Sequence, residues 1–195
     1  MEYGTSWTTI ANLALQKLGR PAISDLNTDK GYGTPAPIIK GQLPITLNAV
    51  LGSRPWRCMT VKASIPRLAD TPPDYKYRYQ IPGDYIRLVD VITENGEEYQ
   101  LSGNFIDTDS GSVILRYVGE PSDAMAMPTY LQMAVAFHLA MFVAPLLNAD
   151  SQLQTALASE YTLAVANAWS LDNADIKDKI FMSGIADELA AARRF

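Results

Sequence analysis

Seventeen residues, 131–147, carry almost nothing but apolar side chains, interrupted only by Gln132, His138 and Pro145. A helix drawn through this run is apolar on nearly every side, so it needs cover from several directions at once. Seventeen residues is the short limit for a membrane span, and the interruptions favour a buried or interface helix. The rest of the chain has to supply that cover. Three further helices and a small sheet leave part of the run open, which predicts an interface between copies of the chain as the missing cover.

The flanking sequence reads as helix, sheet, then helix. Trp7, Ile10, Ala11, Ala14 and Leu18 share one face of a helix over residues 6–18, capped by Ser6 and stopped by Gly19 and Pro21. Residues 20–34 form a connector. Ile39, Leu43, Leu47, Val50 and Leu51 mark a second helix over 38–53, in which Pro44 should impose a kink or a later start. After Arg54-Pro55-Trp56 the periodicity changes. Residues 57–118 carry β-branched and aromatic side chains in short runs broken by Pro, Gly, Asn and Asp. They predict strands at 58–65, 75–80, 85–93, 98–101, 104–107 and 112–118. Asn95-Gly96 is a hairpin signal, since both residues tolerate positive φ, and Asp109-Ser110-Gly111-Ser112 marks another tight turn. Helix resumes after Gly119-Glu120-Pro121, first at 130–147 and then, past a short link capped by Asp150 or Ser151, at 152–170.

The fold class expected is α+β: a bundle of about four helices with an inserted small antiparallel β domain. Residues 1–56 supply the first helices, 57–121 the β insertion and 122–170 a helical hairpin. Residues 171–195 form a C-terminal arm. The arm is polar and charged and reads as one or two short helices interrupted at Ser183-Gly184. It also places Ile176, Ile180, Phe181, Ile185 and Leu189 at intervals that make a narrow apolar stripe, and it ends on Phe195. Such a segment stays solvated alone and folds on a partner. These six residues are the candidate partner-binding set.

Candidates for chemistry are few. The 195 residues include one histidine and one cysteine, so a disulfide within the chain, a Cys-based metal cage and a His-rich metal site are all excluded. His138 has Ala134, Val135, Met141 and Phe142 as its helical neighbours and no orienting partner; a backbone carbonyl or an intersubunit contact is the expected hold on it. Cys58 follows Trp56 and Arg57 and reads as a small hydrophobe. Asp70 and Asp74 flank two prolines, and Glu94, Glu97 and Glu98 crowd one turn; both sets read as solvated loops. Asp107, Asp109 and Gly111 resemble a fragment of a calcium loop without its twelve-residue ligand spacing. Gly31-Tyr32-Gly33 lacks the Lys-Ser/Thr of a phosphate loop. Tyr75, Tyr77 and Tyr79 alternate onto one strand face, where packing is as natural as base stacking. No catalytic, cofactor-binding or metal-binding residue is assigned, no cofactor is expected, and the reading is of a non-enzyme. The net charge of −5 argues against a binder that neutralises phosphates. The first residues, Met1-Glu2-Tyr3-Gly4-Thr5-Ser6-Trp7, have neither a basic nor an apolar leader and do not read as a signal peptide.

The order of features resembles the tail tubular protein A family of short-tailed bacteriophages, the head-to-tail adaptors or gatekeepers. Four segments over residues 6–170 carry the resemblance. The opening helix ends Leu18-Gly19-Arg20-Pro21-Ala22-Ile23. The second contains Leu43-Pro44 and closes on Arg54-Pro55-Trp56-Arg57. The sheet contains Tyr77-Arg78-Tyr79-Gln80-Ile81-Pro82-Gly83-Asp84-Tyr85-Ile86-Arg87, and a late helical pair follows. The resemblance implies a structural virion protein of the tail, assembled in the host cytoplasm, with no membrane contact. Its partners would be further copies of itself in a ring, typically a dodecamer, the portal protein above and the tail nozzle protein below. Genomic DNA would pass through without sequence-specific binding. Residues 57–123 hold seven basic and eleven acidic side chains, a net of −4, which suits a channel that lets DNA slide. Two rivals are a ring-forming connector of a long-tailed phage and a tail-associated cell-wall hydrolase.

Overall fold

The computed structural model describes residues 4–29 and 33–192, with side chains to residue 174. It is an α+β molecule of four helices and two small antiparallel sheets. The helices are α1 (Thr5–Lys17), α2 (Ala36–Gly52), α3 (Thr129–Val143) and α4 (Ser151–Ala192). The strands, all between α2 and α3, are β1 (Thr60–Ser64), β2 (Tyr77–Gln80), β3 (Tyr85–Thr93), β4 (Tyr99–Ser102), β5 (Phe105–Thr108) and β6 (Val113–Gly119).

The apolar run is the centre of the bundle. α3 packs against α1, α2 and α4, and nine of its fifteen residues are buried. Most of the cover comes from within the chain, and part of the run stays open, as the sequence predicts. Phe142 and, just past α3, Leu146 remain exposed. Pro145 ends α3 in a short 3-10 turn, and Asn148 takes a left-handed conformation at φ 54° before Asp150 caps α4 through a 2.7 Å bond from Leu153 N–H.

Three local expectations change. α1 starts one residue early on Gly4 with no side-chain cap, and the Ser6 hydroxyl is buried without a partner instead of capping. Its end is as expected: Gly19, at φ 62°, lets the Arg20 N–H reach Leu15 O and its own N–H reach Gln16 O. In α2, Pro44 does not delay the start, because Ala36–Gly52 is helical throughout with a second proline in its first turn. The Pro44 carbonyl accepts a 3.1 Å bond from Asn48 Nδ2. α4 runs on through Ser183-Gly184 as one 42-residue helix, where the sequence suggests a break after Ser170 and another at that pair.

The β region forms two three-stranded sheets, ordered β1-β6-β3 and β2-β5-β4. Alternation on β6 serves two cores at once. Val113, Leu115 and Tyr117 face a small core with Ile65, Tyr79, Ile81 and Ile106, while Val118 enters the bundle core. Asn95-Gly96 does not make the predicted hairpin: β3 pairs with β6 and β4 with β5, so the turn carries the chain from one sheet to the other. The tight hairpin is Gly103-Asn104, where Gly103 at φ 62° supplies the first turn residue. Trp56 stands where bundle and sheets meet. It is fully buried, donates from Nε1 to Val50 O at 2.9 Å and meets the Trp169 ring edge-on at 5.9 Å.

Candidate functional site

The most densely bonded polar group is Asp172, on α4, which the sequence places in the solvated arm. It is 3% exposed. Its carboxylate accepts from the backbone N–H groups of Arg57 at 2.7 Å and Cys58 at 3.0 Å, and lies 3.3 Å from the Tyr130 hydroxyl of α3. Arg57–Met59 is a single 3-10 turn leading from Trp56 into β1, and Asp172 satisfies its open N–H groups from a helix 115 residues away. Cys58 as a residue is exposed, yet its thiol faces this carboxylate. Burial and the neighbouring Asp172 push it up to about 12. A thiol held protonated is neither nucleophile nor ligand. Burial, and the contact with Cys58, also push the Tyr130 phenol up. The cluster is a joint between α3, α4 and the sheet.

His138 is buried in α3. Its Nδ1 lies 3.4 Å from the Thr46 hydroxyl of α2, in place of the expected carbonyl or second copy. Its ring stacks on Phe142 at 4.6 Å and meets Tyr161 of α4 edge-on at 4.8 Å. Burial lowers its pKa, so the ring is neutral at pH 7. No acid or nucleophile adjoins it among the described residues, and the geometry is that of a packed polar core residue.

The acidic candidates are taken up by the fold. Asp107 is 3% exposed and forms a two-pronged pair with Arg78, Oδ1 to Nε at 2.7 Å and Oδ2 to Nη2 at 2.8 Å, which holds its carboxyl below the usual range. Asp109 accepts from Lys76 N–H at 2.9 Å. The would-be calcium fragment is therefore split between an ion pair and a turn. Among the described residues no three His, Cys, Asp or Glu side chains converge as metal ligands. The tyrosines form no stacking platform: Tyr79 is buried with its hydroxyl on Ser110 O at 2.8 Å, Tyr77 lies beneath Arg67, and Tyr85 packs on Tyr117. Gly31 and Tyr32 lie outside the described residues.

The predicted partner set falls on or just beyond α4. The side chains of Ile176, Ile180, Phe181, Ile185 and Leu189, and the whole of Phe195, lie outside the described residues. Beside α4's described part, Tyr130, Met133, Phe137, Leu163, Ala164 and Leu171 line a shallow groove of about 430 Å³. The Asp172–Tyr130 contact puts residue 172 level with the start of α3, and α4 continues for about 30 Å past that level at 1.5 Å per residue. Sequence reasoning missed the anchor. A lone aspartate between Leu171 and Asn173 carries no signal of the N–H groups it will meet. Among the described residues no helix is long and apolar enough to cross a membrane. Compared with known proteins, the chain matches no family model and no curated sequence.

Proposed function

We propose that the chain is a structural head-to-tail adaptor of a short-tailed phage, one copy in a ring that joins the portal to the tail nozzle and continues the DNA channel. The observation that supports this best is the architecture. A bundle of four helices is interrupted once, between α2 and α3, by an antiparallel β unit, and its last helix runs well past the bundle. The order is the one the sequence resemblance implies. The side-chain chemistry is compatible with it: His138, Asp107 and Asp172 are each engaged in holding elements together. In this reading the acidic β unit repels the DNA backbone, and the stretch of α4 beyond Asp172 engages the portal.

Negative-stain imaging of the purified chain mixed with isolated portal protein of a short-tailed phage tests the proposal. An added ring on the tail side of the portal is expected. Portal particles that remain bare at saturating chain concentration would overturn it.

A further inference from the structure

The outer strands of the two sheets are β1, β3, β2 and β4, and the edges of β4 and β1 are flanked by opposite charge. The outer edge of β2 is closed by residues 66–68, through Leu68 N–H to Arg78 O at 2.8 Å and Gln80 N–H to Pro66 O at 3.2 Å. Among the described residues no backbone bond covers the outer edge of β4. Ser102 and Phe105 close a two-residue hairpin, so the ladder alternates from there and the N–H and C=O groups of Tyr99 and Leu101 point away from β5. Both side chains are exposed, Tyr99 at 41% and Leu101 at 45%. The strand reads Tyr-Gln-Leu-Ser, without the charge or proline that normally blunts an edge. The outer edge of β1 is open as well. Ile65 N–H bonds Val113 O, so Lys62 and Ser64 turn their backbone groups outward.

Residues 57–67 carry three basic side chains, Arg57, Lys62 and Arg67, and no acidic one. Residues 94–102 carry three acidic ones, Glu94, Glu97 and Glu98, and no basic one. All but the half-buried Glu97 are exposed, and Glu97 Oε2 is shut off from solvent with no hydrogen-bond partner among the described residues.

We infer that β4 of one copy takes β1 of the next, edge to edge, as the seam between subunits. The partner is a second copy of this chain, and the inference rests on the ring proposed above. Charge also sets the polarity. Two β4 edges repel each other through Glu94, Glu97 and Glu98, and two β1 edges through Arg57, Lys62 and Arg67. Only the unlike pair attracts. Used once per interface, a contact between different edges is head-to-tail and builds a ring when the rotation closes. Main-chain bonds would supply affinity, and the flanking charges register.

Sedimentation of the full chain at low salt tests this. Wild type should self-associate, and added salt should weaken the association. The E97K/E98K and K62E/R67E variants, checked for unchanged melting, should each lose roughly tenfold or more in association. Mixed in equal amounts, the two should recover it, because each reversed edge then meets its complement. If either pair of changes lowers the melting temperature, the single variants E98K and K62E, both at exposed positions, replace it. Variants that associate like wild type, a mixture that stays monomeric, or a wild type monomeric at its solubility limit would overturn the seam. Rings on the portal from variants as well as wild type would overturn the seam and leave the adaptor proposal standing. Association through the seam with no ring on any portal would do the reverse.

Discussion

The bundle and the β unit are held by different forces. Among the described residues the bundle core unites thirty buried apolar residues, the β core seven. The bundle is stabilised by area removed from water, at about 25 cal/mol per Å². The β unit is too small to rely on that. It uses directed bonds: the Arg78–Asp107 pair, Tyr79 to Ser110 O, Thr108 Oγ1 to Glu98 O, and Tyr117 to Asp84, which with burial pushes the Tyr117 phenol up to about 12. The difference explains the chain order. The β unit, with so small a core of its own, is tied at both ends to the bundle, to whose core it gives Met59 and Val118, with Ile86 and Val89 packed against it.

Breaking the area term should have the largest effect. Trp56 is fully buried in the bundle core and contacts Trp169. Trp56→Ala should cost about 3–5 kcal/mol in denaturant unfolding. A loss below about 1 kcal/mol would mean that the bundle closes without it, and the division between the two regions would fail.

Asp172 links the two regions and comes second. Asp172→Ala leaves two N–H groups of the 3-10 turn unsatisfied, at about 1–3 kcal/mol each before water enters. A loss of roughly 2–4 kcal/mol is expected. Truncation after Ser170 should reproduce it, whereas truncation after Ala174, which keeps Asp172, should leave the melting temperature near wild type. Equal melting of both truncations would show that the carboxylate does not hold the joint.

Legibility in the sequence follows the same division. Apolar periodicity is a local record of area burial, so α1, α2, α3 and the six strands lie within a few residues of where periodicity places them, whereas α4 starts where expected and runs on to Ala192. Directed bonds between distant residues leave no such record. Asp172 meets Arg57 across 115 positions, and His138 meets Thr46 across 92. Asn95-Gly96 signals its turn faithfully, with Gly96 at φ 73°, but a turn signal does not say whether the next strand pairs back or joins another sheet. The even apolarity of α3 shows how much cover it needs, not how much of it α1, α2 and α4 supply. The candidate partner stripe of α4 has no comparable test, since its side chains lie outside the described residues.

Within the β unit, the directed bonds give a third test. Asp107→Asn removes the charge that holds Arg78, and should cost about 1.5–3 kcal/mol. The acid dependence has a definite sign. The folded pKa of Asp107 is lowered by Arg78, so its contribution is complete above the unfolded value of about 3.9 and fades as pH falls through that value toward the folded one. Wild type should lose stability over that acid range more steeply than D107N. Parallel curves would show that the pair adds nothing to the β unit.

The bundle core holds the chain's one histidine, and it gives the smallest effect. His138 packs among Thr46, Phe142 and Tyr161, and the charge of Arg54 acts on Tyr161. Burial lowers its folded pKa below the unfolded value of about 6.5. The unfolded chain therefore binds a proton first as pH falls. Stability from the neutral ring is complete above about pH 6.5 and declines below it until the folded ring is protonated as well, by at most about 1.4 kcal/mol per pH unit for one proton. His138→Phe keeps an aromatic ring of similar size beside Phe142 and removes the titration. Its stability should be nearly flat between pH 7 and 5, where wild type falls. The decline in wild type over that range must also be separable from Asp107, whose window lies lower. A double variant, H138F with D107N, should lose both phases independently, since the two groups sit in different cores and share no partner. Strong coupling between them would mean that bundle and β unit unfold through a shared network, and the contrast between an area-driven and a bond-driven region would no longer hold.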